Sequence, residues 1–133
     1  MTLGNGAGEA YYGSSGTVSG AINCGTGGDI VYQGAEYETI NAGLGGDTFN
    51  TATGMSAIIA EKASALQNGG FDTVNNFQSG DYISVAASLQ GATSFSAYQG
   101  GAIISIGLGG GNYAYVNVTG TSVANVQGHT FFA

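Results

Sequence analysis

The sequence predicts an all-β chain: a short parallel β-solenoid of nonapeptide blocks over residues 16–51, a short helix over 53–69 and an antiparallel β cap over 70–133, behind a segment 1–15. Glycine opens a block every nine residues, in Gly25–Gln33, Gly34–Ala42 and Gly43–Thr51, and the register extends back to Gly16. An apolar column keeps the same spacing through Ile22, Val31, Ile40 and Phe49, as a stacked core and not a helix face. The 26 glycines, with no proline and no collagen-like triplet, suit a β architecture with tight turns.

Each block supplies one short strand and one turn, and two blocks make a coil, so a single block cannot bury its own apolar residue and stacking must supply the core. Glycine serves the turns because it enters positive φ where bulky residues resist it. With two blocks per coil, residues eighteen apart lie above one another on the same side, and Asp29 and Asp47 have that spacing. Two readings of the pair follow from the residues. Stacked carboxylates beside loops whose carbonyls point into the turn make an all-oxygen site for a hard divalent cation, calcium above all, which would relieve the like-charge repulsion. In the other reading each Asp is a turn residue that accepts hydrogen bonds from local backbone amides.

The segment Met55–Asn68 is rich in alanine and places Met55, Ile58, Ile59 and Leu66 on one face, with Thr53 or Ser56 as N-cap and Gly69 just beyond. A helix covering an end or face of the stack is expected there. In the C-terminal part, Ile103–Ile106 and Tyr113–Val118 flank Gly107–Asn112 as the arms of a hairpin. Alternation sets Ala114, Val116 and Val118 on one face and Tyr113, Tyr115 and Asn117 on the other.

The blocks Gly25-Thr26-Gly27-Gly28-Asp29-Ile30-Val31 and Gly43-Leu44-Gly45-Gly46-Asp47-Thr48-Phe49 resemble the G-x-G-x-D-x-U portion of the RTX, or hemolysin-type calcium-binding, repeat. Phe71–Val85 resembles the segment that follows such repeats, and Tyr113–Gly120 with the tail Thr130–Ala133 is similar to the terminal strands of the same secreted proteins. The resemblance implies a β-roll that binds Ca2+ through Asp29 and Asp47 with Gly25, Gly27, Gly43 and Gly45. It also implies export by a type I secretion system of a Gram-negative bacterium, read from the C-terminal tail. The match is incomplete. Gly20 and Glu38 stand at the Asp position of the opposite-side blocks, so a second row of ions is not expected, and Glu36 and Glu38 read as solvated turn residues, with a weaker ion on that side as the alternative. Asn76 replaces a family Asp, and Asp72 and Asp81 read as structural turn residues, with a lone calcium near them as the alternative.

Charged residues make up only 7% of the chain, and the net charge is −7. Lys62 is the sole basic side chain, so there is no phosphate-binding patch and nucleic acid is not an expected partner. No apolar run is long enough for a membrane span, and residues 1–9 have neither the basic nor the apolar region of a cleavable signal. Cys24 is the only cysteine, so no intrachain disulfide forms; it reads as a small buried residue near a turn. His129 is the only histidine and lies in no catalytic motif, so no enzyme activity is expected. Two functional expectations remain: a secreted calcium-binding structural protein that self-assembles into a filament, surface layer or matrix, or a calcium-folding and secretion module from the C-terminus of a larger toxin, adhesin or hydrolase. Low charge, open strand edges and eight tyrosines favour the first.

Overall fold

The computed structural model describes residues 2–3, 10–12, 21–34 and 38–133. Gly16, Gly20, Glu36 and most of the segment 1–15 lie outside the described residues. The strands in chain order are β1 (Ala10–Tyr12), β2 (Ala21–Asn23), β3 (Ile30–Tyr32), β4 (Glu38–Asn41), β5 (Thr48–Asn50) and β6 (Ala57–Glu61). They continue with β7 (Phe71–Asn75), β8 (Tyr82–Val85), β9 (Thr93–Tyr98), β10 (Gly101–Gly109), β11 (Asn112–Val118) and β12 (Thr130–Phe132), with one short helix, α1 (Val123–Gly128), before the last strand.

The chain is predominantly β and forms two sheets, ordered β1-β3-β5-β7-β11-β10-β9 and β12-β8-β6-β4-β2. Up to β8, consecutive strands alternate between the sheets, and each from β3 onward pairs in parallel with the strand two before it. In the repeat blocks the offset is eighteen residues, as in Val31 beside Phe49 and Ile22 beside Ile40. Beyond β7 the larger sheet changes character. The antiparallel strands β9, β10 and β11 join it through a parallel pairing of β11 with β7, and β12 adds in parallel to β8.

The strands of the repeats are short because only their central residue needs to face inward. The apolar column at nine-residue spacing is therefore two facing columns. Ile22, Ile40, Ile59 and Ile83 line the smaller sheet, and Val31, Phe49, Val74 and Val118 line the larger, all at 2% exposure or less. Each such side chain contributes about 1.5–3 kcal/mol of burial. On the outer faces, side-chain amides stitch layer to layer, Asn41 donating to Asn23 at 2.8 Å and Asn75 to Asn50 at 3.1 Å.

The segment expected to be helical is strand β6, followed by a single 3-10 turn at Ala63–Ala65. Pairing overrides the helix propensity of its alanines: Ile59 continues the Ile22–Ile40 column, and the alternation sets Ala57, Ile59 and Glu61 inside. The C-terminal hairpin has Ile104 opposite Val116, with Ala114, Val116 and Val118 buried and Tyr113 45% exposed. Its turn is tighter than the Gly107–Asn112 run suggests, because Gly109, Gly110 and Gly111 all adopt positive φ. Helix α1 begins where Ser122 accepts the amide of Asn125 at 3.1 Å, and it buries Val126 in the core.

Candidate metal centre

The blocks converge on one row of inward-facing side chains at the glycine-rich edge of the stack. Two residues before Val31, Phe49 and Val74 stand Asp29, Asp47 and Asp72, all on the same inner face and at most 5% exposed. Two residues after Ile22, Ile40 and Ile59 stand Cys24, Ala42 and Glu61 of the opposite sheet. Cys24 thus faces Asp29, Ala42 the Asp47 level and Glu61 faces Asp72. One layer further on, Val85 and Val116 close the row with apolar side chains.

The three aspartates are linked through the backbone. The amide of Asp29 donates to Oδ1 of Asp47 at 2.9 Å, and the amide of Asp47 donates to Oδ1 of Asp72 at 2.8 Å. Within each block the carboxylate also closes its own turn, Gly25 N–H donating to Asp29 Oδ2 at 2.8 Å and Gly43 N–H to Asp47 Oδ2 at 2.9 Å. Asp81 does the same at the opposite edge, accepting the amides of Ala57 and Gln78, each at 2.9 Å. The aspartates are therefore amide acceptors that organise turns, whatever else they bind.

The glycines take a different part from the one expected. Gly25 and Gly43 meet the carboxylates through their amides, while the carbonyls of Gly25 and Gly27 lie against Gly43 and Gly45 of the next layer. A Cβ on Gly43 would come within 2.7 Å of the Cys24 carbonyl oxygen, and one on Gly45, itself at φ +101°, within 2.9 Å of the Gly27 oxygen. Close stacking of backbone on backbone, more than turn conformation, demands glycine here.

Ligand atoms of Cys24, Asp29 and Asp47 all lie within 4.8 Å of one another, the compact spacing a bound cation requires. Oδ1 of Asp29 is buried with no hydrogen-bond partner among the described residues. Burial raises the Asp47 carboxyl to about 6, against the lowering effect of the Asp29 and Gly43 amides, and the nearby Asp29 adds to the rise. Burial, then Asp47 and Asp29, raise the Cys24 thiol well above its ordinary range. Two of the three donors in the group are carboxylate oxygens, which favours a hard cation over a thiophilic one. No basic side chain offsets these charges, since Lys62, the only one in the chain, is exposed. The residues fit a divalent ion.

Glu38, expected to be solvated, is buried at 4% exposure. The hydrophobic interior raises its carboxyl, the Gly34 amide opposes that, and one of its oxygens has no partner among the described residues. Strand β4 sets it inward, in line with Ile40 two residues on. His129 is held by the Asn125 carbonyl at 2.7 Å and packs between the rings of Tyr82 and Phe77.

The composition of the row, three aspartates facing a thiol, an alanine and a glutamate, was only half visible in the sequence. Glu61 and Cys24 belong to the other sheet and carry no repeat signal. Among known proteins, no family model, no curated protein and no solved structure matches this chain.

Proposed function

We propose that this chain is a calcium-binding structural protein: a short β-roll of stacked layers, held at one edge by the ion and associating with further copies through open strands and aromatic faces. One observation carries the reading, the close group of Asp29, Asp47 and Cys24 with an unpartnered, buried carboxylate oxygen and no basic side chain beside it. A divalent ion neutralises two neighbouring carboxylates, of which Asp47 is held above its ordinary range by burial. Ion binding then becomes folding free energy, as in other small metal-dependent domains.

Alternation of parallel strands between two sheets, at eighteen-residue offsets, supports the β-roll description of residues 21–61. The RTX-like blocks support extracellular placement by type I export, where calcium is abundant and a disulfide-free chain needs another staple. Association is supported by the surface. Strands β1, β9 and β12 stand at the ends of their sheets among the described residues, while Thr2 and Leu3 cover the outer side of β2, and edge strands are templates for further pairing. Tyr32, Phe71 and Tyr113 on the larger sheet and Tyr82 and Phe131 on the smaller are each about 40% exposed. Aromatic side chains of this kind are enriched at protein interfaces.

Electron microscopy and light scattering of the purified chain in millimolar calcium, and again after chelation, test both halves. Ordered fibres or sheets that disperse with chelator are expected. Monomers in both conditions, with a calcium-induced rise in melting temperature, would remove the assembly and keep the ion; no calcium response at all would remove the whole reading.

A further inference from the structure

The charge of the chain is unevenly placed. From Tyr82 to Ala133 there is no Asp, Glu, Lys or Arg, so the net charge of −7 arises entirely from the residues before that point. Two copies that each carry this charge meet with least repulsion through the C-terminal part. The outermost strand there is β9, Thr93–Tyr98, which ends the larger sheet.

Strand β9 is bonded on one side. Its six residues pair without a break with β10, from Tyr98 beside Gly101 to Thr93 beside Ile106, and the irregularity of β10 at Gly107 and Gly109 lies in its pairing with β11. Thr93 is closed off, its amide donating to the Gln90 carbonyl and its hydroxyl to that of Leu89 at 2.7 Å. Among the described residues, Ser94–Tyr98 make no hydrogen bond outside the β10 ladder, and helix α1, which packs on β9, bonds none of its backbone. In an antiparallel strand every second residue turns its N–H and C=O outward, so this edge keeps a row of alternating donors and acceptors. The devices that commonly protect an edge, a lysine, a proline or a bulge, are all missing from it, and the exposed Ser94 and Ser96 are small and neutral. The other sheet ends offer less. β1 and β12 have three residues each, and Thr2 and Leu3 cover β2.

We propose that β9 pairs antiparallel with β9 of a second copy about a two-fold axis, joining two seven-stranded sheets into one continuous sheet. The inference rests on the association reading above and names its surface and symmetry. Self-pairing suits the strand, because across the axis a neutral serine face meets its own kind and no like charges are brought together. Such a contact closes on itself and yields a dimer, so growth beyond two copies passes to the opposite end of the sheet at β1.

Sedimentation velocity in millimolar calcium, with the double variant Ser94→Lys and Ser96→Lys beside the intact chain, tests the contact. The variant sets like charges on facing strands and is expected to lose one contact, giving monomers in place of dimers or dimers in place of fibres, with its calcium-induced rise in melting temperature unchanged. Unchanged assembly in the variant overturns the β9 contact and leaves association to another surface; a monomeric intact chain overturns both. Mixing the lysine variant with a Ser94→Glu and Ser96→Glu chain is expected to restore one-to-one pairs, and failure to restore them also overturns the contact. Hydrogen exchange of the intact chain at low and high concentration needs no substitution. The β9 amides are expected to slow as the chain associates, and unchanged exchange there in assembled chain would overturn the proposal.

Discussion

Removing divalent ions and raising the pH from 4 to 8 is expected to destabilise the chain, and the size of the effect follows from the carboxylate row. Burial lifts Asp72 from its ordinary 3.8 to about 7 and Asp47 to about 6, and Glu61 lies well above its ordinary value for the same reason, with Asp72 and Asp47 adding repulsion. A group whose folded pKa exceeds its unfolded one stabilises the fold fully below the unfolded value, and that stabilisation is lost as the pH rises through the folded one. The loss therefore starts near pH 4, deepens around 6 as Asp47 ionises and around 7 as Asp72 follows. At about 1.4 kcal/mol per tenfold change, the coupled pair of Asp72 and Glu61 together represents on the order of 4 kcal/mol. Asp47, whose carboxylate is partly compensated by the Asp29 and Gly43 amides, adds in the same direction. That is a large part of the ~5–15 kcal/mol typical of a domain, and equals a fall in melting temperature on the order of 15 °C for a chain of this length. Thermal melts followed by far-ultraviolet circular dichroism in excess chelator, at steps across this range, read it directly. A melting temperature that is flat or rises between pH 5 and 8 would refute the reasoning.

Three further outcomes follow from the same structure. Asp72→Asn keeps an oxygen for the Asp47 amide while removing the charge, so in chelator it is expected to melt higher than the intact chain at pH 8 and to flatten the pH profile; equal profiles would contradict this. Gly43→Ala forces a Cβ to within 2.7 Å of the Cys24 carbonyl oxygen and 2.9 Å of its carbon, both backbone atoms, so a loss of roughly 2 kcal/mol or more is expected in urea unfolding. Gly91→Ala, with open space around the new methyl, is the control and should stay within about 0.5 kcal/mol. Phe49→Ala empties the largest fully buried position among the described residues and is expected to lose about 3–5 kcal/mol by the same measurement.

The repeat made much of this legible in advance, and its end marks where legibility stops. Ile22, Val31, Ile40 and Phe49 could be read as core because nothing but stacking gives apolar residues a strict spacing, and Asp29 and Asp47 could be paired from the same register. After Asn50 the layers continue but the spacing does not. Ile40 pairs with Ile59, nineteen residues on, Ile59 with Ile83 and Phe49 with Val74, as loops of different length intervene. Without the period, the alanines around Ile58 and Ile59 read as a helix, and Glu61 carried no sign of facing inward. Reading 57–61 as a strand with Ile59 in the core column would have set Glu61 inward, two residues further along. Glu38 was misjudged for a related reason: its place in the block suggested a solvated turn, but β4 already begins there. The parallel seam between β7 and β11 had no local signature, because pairing between strands more than forty residues apart is decided by packing alone.

The central claim is that the carboxylates at the glycine-rich edge hold calcium and so hold the fold. Calcium-titrated thermal melting of the intact chain beside the double variant Asp29→Asn with Asp47→Asn tests it most directly, since asparagine oxygens still accept the turn amides. A saturable rise in melting temperature in the intact chain that disappears in the double variant is expected; the same rise in both, or none in the intact chain, would contradict it.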